Sequence, residues 1–130
     1  MKTKVIILLF IALFCATNAL YSQTTSSTST CKCTAADAGQ HIGEKCQVTG
    51  VVVSSYQSER EGSPLFLSID NDYPKEKLQV VIFPNALSLF PEDIAVLYTN
   101  TTVNIVGTIT VYKKHPQIIV SKPEQISIAE

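Results

Sequence analysis

Cys46-Gln47-Val48-Thr49-Gly50-Val51-Val52-Val53 and Val103-Asn104-Ile105-Val106-Gly107-Thr108-Ile109-Thr110-Val111 are two runs rich in β-branched residues, each with one central glycine. β-Branched side chains favour strands. A glycine inside a strand usually marks a bend, a bulge or a close approach of two backbones. Two shorter strand-like segments lie between the two runs. The sequence therefore predicts a small closed β-barrel.

The strand pattern continues on both sides of these runs. Segments with alternating apolar residues are bounded by turn-forming residues such as Pro84 and Pro123. Five strands are predicted, at Lys45–Tyr56, Leu65–Ile69, Leu78–Phe83, Thr102–Tyr112 and Gln117–Val120. Their inward-facing residues form the predicted core: Val48, Val52, Leu65, Leu67, Ile69, Val80, Ile82, Val103, Ile105, Ile109 and Ile118.

Two segments have helical character. Thr34 followed by Asp37 resembles a capping box, which predicts a short helix from Ala35 to His41. A weakly helical segment, Asn85–Leu97, is interrupted by Pro91 and lies between the third and fourth strands. We expect it to close one end of the barrel.

The N-terminus predicts export. Lys2 and Lys4 precede an apolar run of about the length of a signal-peptide core, and small residues follow up to Ala19. The run is shorter than the roughly 20 apolar residues of a membrane-spanning helix. A lipid anchor at Cys15 is disfavoured because the bulky Phe14 precedes it. We predict a signal peptide at 1–19, a flexible Ser/Thr-rich tether at 20–33, a domain at 34–130, and a periplasmic or secreted location without a membrane span.

The charge of the mature chain argues against strong electrostatic capture of polyphosphate. Removing Lys2 and Lys4 from ten basic residues leaves eight against eleven acidic residues, a formal net charge of −3. Nucleic-acid-binding proteins usually carry a basic footprint, because phosphate neutralisation supplies much of their affinity.

Three cysteines remain after the predicted cleavage. An oxidising compartment preserves disulfides, and Cys31 and Cys33 are too close in sequence to pair comfortably. One of them could bridge Cys46, which would stabilise the domain by about 3 kcal/mol in the chain-entropy model. Zinc ligation by the three thiols with His41 is the alternative, but the single residue between Cys31 and Cys33 is short for a structural zinc site. We therefore predict no metal and no other cofactor.

The order of elements is that of the five-stranded OB barrel: three strands, a helical segment, then two strands. From about Ala35 to Ile128, the chain resembles small exported bacterial OB-fold domains related to the tRNA-anticodon-binding type. The resemblance rests on short motifs, and their order and spacing are more specific than any one of them. They are His41-Ile42-Gly43-Glu44, Val48-Thr49-Gly50-Val51-Val52, Leu65-Phe66-Leu67, Tyr73-Pro74, Val80-Val81-Ile82-Phe83, Val103-Asn104-Ile105-Val106-Gly107 and Pro116-Gln117-Ile118.

The resemblance implies a binding module for single-stranded nucleic acid or another anionic ligand. OB barrels bind across strands two and three and between the loops that join strands one–two and four–five. Phe66 and Tyr112 are the predicted stacking platform, and Arg60, Lys113 and Lys114 are the predicted cationic contacts. Aromatic stacking with cations along the backbone is how such proteins hold single strands.

No catalytic pattern stands out in the sequence. The two histidines, His41 and His115, are far apart, and no nucleophile elbow, triad order or phosphate-binding glycine loop is present. We predict a protein that is not an enzyme. Two rival functions stay open: a protein-interaction or structural module with an envelope protein as its partner, and a redox or metal module built on the cysteines.

Overall fold

The structure, a computed structural model, describes residues 30–130. The predicted signal peptide at 1–19 and the tether as far as residue 29 lie outside the described residues. Within 30–130 the chain is mostly β, with a few short helices. None of the helices in this range is long and apolar enough to cross a membrane.

Eight strands form one hydrogen-bonded sheet. Six of them match the five predicted strands to within a few residues, because one predicted strand is divided into two, and the first and last lie outside the five predicted ranges. The strands are β1 (Cys31–Thr34), β2 (Lys45–Gln57), β3 (Leu65–Ile69), β4 (Leu78–Ile82), β5 (Thr102–Thr108), β6 (Thr110–Tyr112), β7 (His115–Ile119) and β8 (Ile126–Ile128).

The long strand β2 organises the sheet by pairing with three others. Its first half runs antiparallel to β5, from Lys45 opposite Thr108 to Val51 opposite Thr102. Its second half runs antiparallel to β3, after a register shift between Val52 and Ser54. β1 pairs with it in parallel. Across the sheet, neighbouring strands follow the order β6-β7-β4-β3-β2-β5-β8, and β1 lies beside β2 outside this order.

The predicted closed five-stranded barrel is not confirmed, because this sheet has eight strands and does not close through hydrogen bonds. The predicted fourth strand is divided at Ile109 into β5, which pairs with β2, and β6, which pairs with β7. The Ile109 side chain is fully buried, and its backbone instead pairs with the turn before β2, through Gly43 N–H and Glu44 C=O. The chain therefore passes directly from β5 to β6, which lie near opposite ends of the strand order.

The two strand glycines lie where another strand approaches closely, as their pattern predicts. A Cβ atom on Gly50 would lie 2.3 Å from Cγ2 of Ile69 in β3. A Cβ atom on Gly107 would lie 2.6 Å from Cγ2 of Ile118 in β7. A side chain at either position would collide with the core.

The core is the predicted one. All eleven residues expected to face inward are buried, and Leu78, Val120 and Ile126 join them. Ala35 and Ala38 pack against the same cluster from the N-terminal side. Burial of this β-branched and leucine-rich set is the main stabilising contribution to the domain.

The helical segments are shorter than predicted. The segment Ala35–Gln40 is a 3-10 helix, and its Thr34 hydroxyl donates to the Asp37 carboxylate instead of capping a backbone amide. The second segment is divided around Pro91 into α1 (Pro84–Leu87) and α2 (Ile94–Tyr98), with Asp93 capping α2. A further 3-10 turn, Pro123–Gln125, precedes β8.

Residues 31–33, which the sequence assigns to the tether, are part of β1. A Ser/Thr-rich composition alone does not reveal this strand, because its pairing depends on β2. Cys31 lies opposite Cys46 in the parallel ladder, with their Cα atoms 4.4 Å apart, and the two form a disulfide. The bond joins β1 to the first half of β2.

Candidate functional site

A cavity of about 690 Å³ opens on the sheet face that turns away from the core. The second half of β2, the strands β3 and β4, and the β6–β7 hairpin form its walls. Its volume is in the range of small-molecule and cofactor sites. Its lining is aromatic and hydroxyl-bearing: Ser54, Ser55, Tyr56, Phe66, Ser68, Asp72, Tyr73, Gln79, Tyr112, Lys113 and His115.

Five ring side chains surround this cavity. Tyr56 and Phe66 lie opposite each other in the β2–β3 ladder, which places them side by side on one face. Tyr73 stacks on His115, with ring centroids 5.7 Å apart. Tyr112, at the end of β6, lines the cavity from the side of the β6–β7 hairpin. Tyr56 and Tyr73 are each 65% exposed and Tyr112 is 57% exposed, so their rings are available for stacking with a planar ligand.

The β6–β7 hairpin turns at Lys113 and Lys114, with Tyr112 opposite His115. Both lysines have positive φ, 48° and 69°. Two successive residues of this kind are typical of a two-residue hairpin turn that usually contains Asn-Gly or Asp-Gly. Lys113 Nζ lies 5.4 Å from the centroid of the Tyr112 ring, within cation–π range. The turn thus holds a cation at the rim of the cavity.

The structure brings three of the five predicted ligand-binding residues together. Phe66, Tyr112 and Lys113 line the cavity. Lys114 follows at the hairpin tip without lining it, and Arg60 lies in the exposed loop between β2 and β3, also outside the lining. Their roles in binding stay predictions.

Three of the five rings around the cavity were not predicted as ligand contacts from the sequence. Tyr56 lies at the end of β2, Tyr73 lies in the loop after β3, and His115 begins β7. The alternation that assigns Phe66 to the outer face could also have identified Tyr56, once the β2–β3 register was known. No local pattern indicates that Tyr73 and His115 would stack.

Acidic groups at the site are held by hydrogen bonds or by an ion pair. The Asp72 carboxylate accepts from the Ser54 hydroxyl at 2.6 Å and from the Tyr73 amide at 2.8 Å. The Glu76 side chain is 1% exposed, and its Oε1 lies 2.7 Å from Nδ1 of His115. Within residues 30–130, neither Glu76 oxygen has a hydrogen bond of good geometry.

A second cluster surrounds the disulfide. The structure pairs Cys31 with Cys46 and not Cys33 with Cys46, because Cys33 lies opposite Val48 in the ladder. His41 Nδ1 lies 3.7 Å from Cys31 Sγ and 2.5 Å from a Glu44 carboxylate oxygen. The predicted zinc alternative with all three thiols does not match this arrangement, since two of the sulfurs are bonded to each other.

Cys33 is a free, half-buried thiol. Burial, followed by the nearby Asp37 and Glu44 carboxylates, raises the pKa of the Cys33 thiol above its ordinary value. Only the thiolate is a strong nucleophile or metal ligand. Cys33 is therefore kept mostly in its unreactive form at neutral pH.

Comparison with known proteins identifies no family. No protein-family model matches the chain, and no curated protein matches it. Sixteen chains of solved structures match in fold. One, from Leishmania major Friedlin, is provisionally assigned as an aspartyl-tRNA synthetase; the TM-score is 0.48 at 12% identity, covering 85% of this chain and 22% of that chain.

Another similar structure is a lipoprotein from Klebsiella pneumoniae subsp. pneumoniae MGH 78578, provisionally assigned as nucleic acid-binding. Its TM-score is 0.42 at 13% identity, covering 74% of this chain and 79% of that chain. Both TM-scores are below 0.5, so neither likeness establishes a shared function.

Proposed function

We propose that this protein is an exported OB-fold binding module without enzymatic activity, and that it binds single-stranded nucleic acid or another extended anionic ligand through the aromatic cavity. The observation that carries the proposal is the group of exposed rings around Lys113. Such rings accept any base, because every base has a π-face, and each stacked base contributes about 1–3 kcal/mol.

The element order supports the OB assignment. Three strands (β2, β3, β4), two short helices, and the divided strand β5–β6 followed by β7 repeat the OB sequence of elements. β7 runs parallel to β4, and Gly107 of β5 lies against Ile118 of β7. The cavity occupies the face of strands two and three beside the hairpin that joins strands four and five, where OB folds bind ligands.

The hairpin turn supports a functional role for its lysines. Positive φ at a residue with a side chain is unfavourable, and asparagine or glycine would relieve it. Backbone strain of this kind is concentrated at functional sites. Two adjacent lysines in such a turn place positive charge beside the exposed rings at a cost in turn stability.

The charge of the domain sets the expected mode of binding. With a formal net charge of −3 after signal cleavage, long-range attraction of polyphosphate is absent. Affinity must therefore come mainly from stacking on Tyr56, Phe66 and Tyr112, with Lys113 as the cationic contact. Affinity for a single strand falls as salt rises, and each neutralised phosphate adds roughly 0.7 to the magnitude of the slope of log affinity against log salt concentration. With Lys113 as the cationic contact, we expect a slope of small magnitude, about 1.

The test is fluorescence anisotropy of labelled single-stranded DNA and RNA with the purified chain, at low and at physiological salt. Tyr112→Ala should weaken binding at both salt concentrations by about tenfold, the loss of one stacked base. Lys113→Ala should weaken binding at low salt and reduce the salt slope by about 0.7.

Two variants serve as matched controls. Lys32→Ala removes an exposed lysine of β1, outside the cavity, and Val96→Ala shortens an exposed apolar side chain of α2. Neither should change affinity or the salt slope. Equal losses in the controls and the site variants would place binding elsewhere, and no binding at low salt would reject the nucleic-acid ligand.

A protein-interaction module is the second candidate function. The segment between β4 and β5 exposes Leu89 and Val96, at 58% and 78%. Exposed apolar side chains on one segment are typical of partner-binding surfaces. Recovery of one stoichiometric envelope protein by the wild-type chain, and its loss with Val96→Asp, would favour this function over ligand binding.

A further inference from the structure

We propose that Cys31, His41, Glu44 and Cys46 form a redox-gated zinc site: closed as a disulfide, it binds no metal, and reduction opens it to one Zn²⁺ ion. The observation behind this proposal is the proximity of four potential metal-ligand atoms. One ligand atom from each of the four residues, two sulfurs, a ring nitrogen and a carboxylate oxygen, lies within 4.8 Å of the other three. The site does not depend on the cavity described above.

Backbone structure holds the four side chains at one place. Cys31 and Cys46 are direct partners in the β1–β2 ladder. Gly43, at a φ of +86°, turns the chain so that the Glu44 amide donates to the His41 carbonyl at 3.0 Å. That turn directs the His41 ring and the Glu44 carboxylate toward the same sulfur, with His41 Nδ1 3.7 Å from Cys31 Sγ.

The distances fit tetrahedral coordination after a small rearrangement. With Zn–S bonds of about 2.3 Å, tetrahedral geometry places two thiolate sulfurs about 3.8 Å apart. The Cys31 and Cys46 sulfurs, freed from their mutual bond, reach that separation by rotation about χ1. His41 Nδ1 and Glu44 Oε2 already lie 2.5 Å apart, so the metal would separate them slightly.

The donor set favours zinc over magnesium and calcium. Thiolate and imidazole ligands favour Zn²⁺ over Mg²⁺ and Ca²⁺, which prefer oxygen. The site lies at the surface of the domain, with Cys46 buried, Cys31 and His41 half-buried, and Glu44 exposed. Metal can therefore enter from the side of Glu44.

The gate is the disulfide itself, and a dithiol reductant would open it. One reductant thiolate attacks Sγ of the half-exposed Cys31, which breaks the Cys31–Cys46 bond and releases Cys46 as a thiolate. The second reductant thiol then attacks this mixed disulfide and leaves as the oxidised, cyclic disulfide. Two electrons pass to the protein, two protons accompany them, and binding of Zn²⁺ releases two protons from the thiols.

Cys33 lies on the same strand but outside the ligand set. It lies opposite Val48, two residue pairs beyond the Cys31–Cys46 pair. This makes Cys33→Ser the matched control, because it removes a thiol from β1 without removing a proposed ligand.

The experiment uses the purified full chain, oxidised and after reduction with a phosphine, titrated with Zn²⁺ against a chromophoric chelator and separately with Co²⁺. The oxidised chain should bind no zinc. The reduced chain should bind one equivalent, and Co²⁺ should give the intense visible bands of tetrahedral thiolate coordination. Zn²⁺ should raise the Tm of the reduced chain only, because a ligand of the folded state stabilises it.

Variants test the ligand set. His41→Ala and Glu44→Gln should each weaken zinc binding by the reduced chain at least tenfold, and Cys33→Ser should leave it unchanged. Both ligand changes are at accessible positions, and circular dichroism of each reduced chain is the check that it is folded. Zinc binding that is equal before and after reduction, that is absent in a folded reduced chain, or that depends on Cys33 and not on His41 would overturn the proposal.

Discussion

Nδ1 of His115 lies 2.7 Å from Oε1 of Glu76, a carboxylate whose side chain is 1% exposed. His115 also stacks on Tyr73 and lines the cavity. The same imidazole therefore lies beside a buried carboxyl on one side and forms part of the cavity wall on the other. Removing it would affect both the stability of the domain and the shape of the site.

His115→Ala should destabilise the domain by about 1–3 kcal/mol, because it leaves the buried Glu76 carboxyl without its polar partner. In a Glu76→Gln background the same change should cost less than about 1 kcal/mol. Urea unfolding of the four chains of this double-mutant cycle measures the coupling.

His41→Ala is the matched control for this cycle. His41 also contacts a carboxylate, but its partner Glu44 is 57% exposed, and exposed ion pairs contribute about 0–1 kcal/mol. A cost for His115→Ala that is no larger than the cost for His41→Ala would show that Glu76 does not depend on the pair.

Gly50→Ala and Gly107→Ala should each cost about 1–3 kcal/mol, the usual range for forcing a methyl group into a packed core. The new Cβ atoms would lie 2.3 Å from Ile69 Cγ2 and 2.6 Å from Ile118 Cγ2. Gly39→Ala is the control, since its Cβ would lie 3.9 Å from Cγ of Pro116, an ordinary van der Waals contact. Thermal unfolding compares the three. Equal Tm values would contradict the close approach of the strands.

Replacing Lys113-Lys114 with Asn-Gly should stabilise the domain by about 1 kcal/mol, because these residues adopt positive φ more readily. The same double change should weaken binding to single-stranded DNA. Replacing both lysines with alanine removes the charges and keeps the strain, so it should weaken binding without the gain in stability. Denaturant midpoints and anisotropy on the same preparations separate the two effects.

Alkylation of Cys33 should be slow at neutral pH. Its pKa is raised by burial and then by the Asp37 and Glu44 carboxylates, so less of the thiol is ionised at a given pH. The curve of rate against pH should therefore be displaced to higher pH than that of a free cysteine. Asp37→Asn removes one carboxylate, which should lower the pKa and speed the reaction. Mass spectrometry of the Cys33 peptide after iodoacetamide treatment gives the rate, and a rate equal to that of free cysteine would contradict the shift.

The sequence predicted the core and the strands well because both depend on local patterns. Alternation identifies which residues of β3 and β4 face inward, and β-branched runs identify β2 and β5. Proline residues identify the ends of strands and helices in the same way. Such signals lie within a few residues of the feature that they predict.

The features that the sequence missed depend on residues distant in the chain. β1 is a strand only because β2 pairs with it, and the break at Ile109 arises because that residue pairs with the turn before β2. The residues of the candidate site likewise divide into those that local patterns predict and those that meet only through the fold. Phe66 and Tyr112 follow from strand position, whereas Tyr73 and His115 meet across 42 residues, and no local pattern encodes that contact.

The position of β1 has a consequence for the order in which the domain assembles. The first half of β2 pairs with β5, whose residues lie more than 50 positions later, as in the bond between Thr49 and Asn104. Contacts of such long range form slowly, because a large loop must close first. β1 lies only 15 positions before its partner and covers the other edge of β2. We expect it to keep that one edge of β2 from pairing with other chains before β5 pairs with the opposite edge.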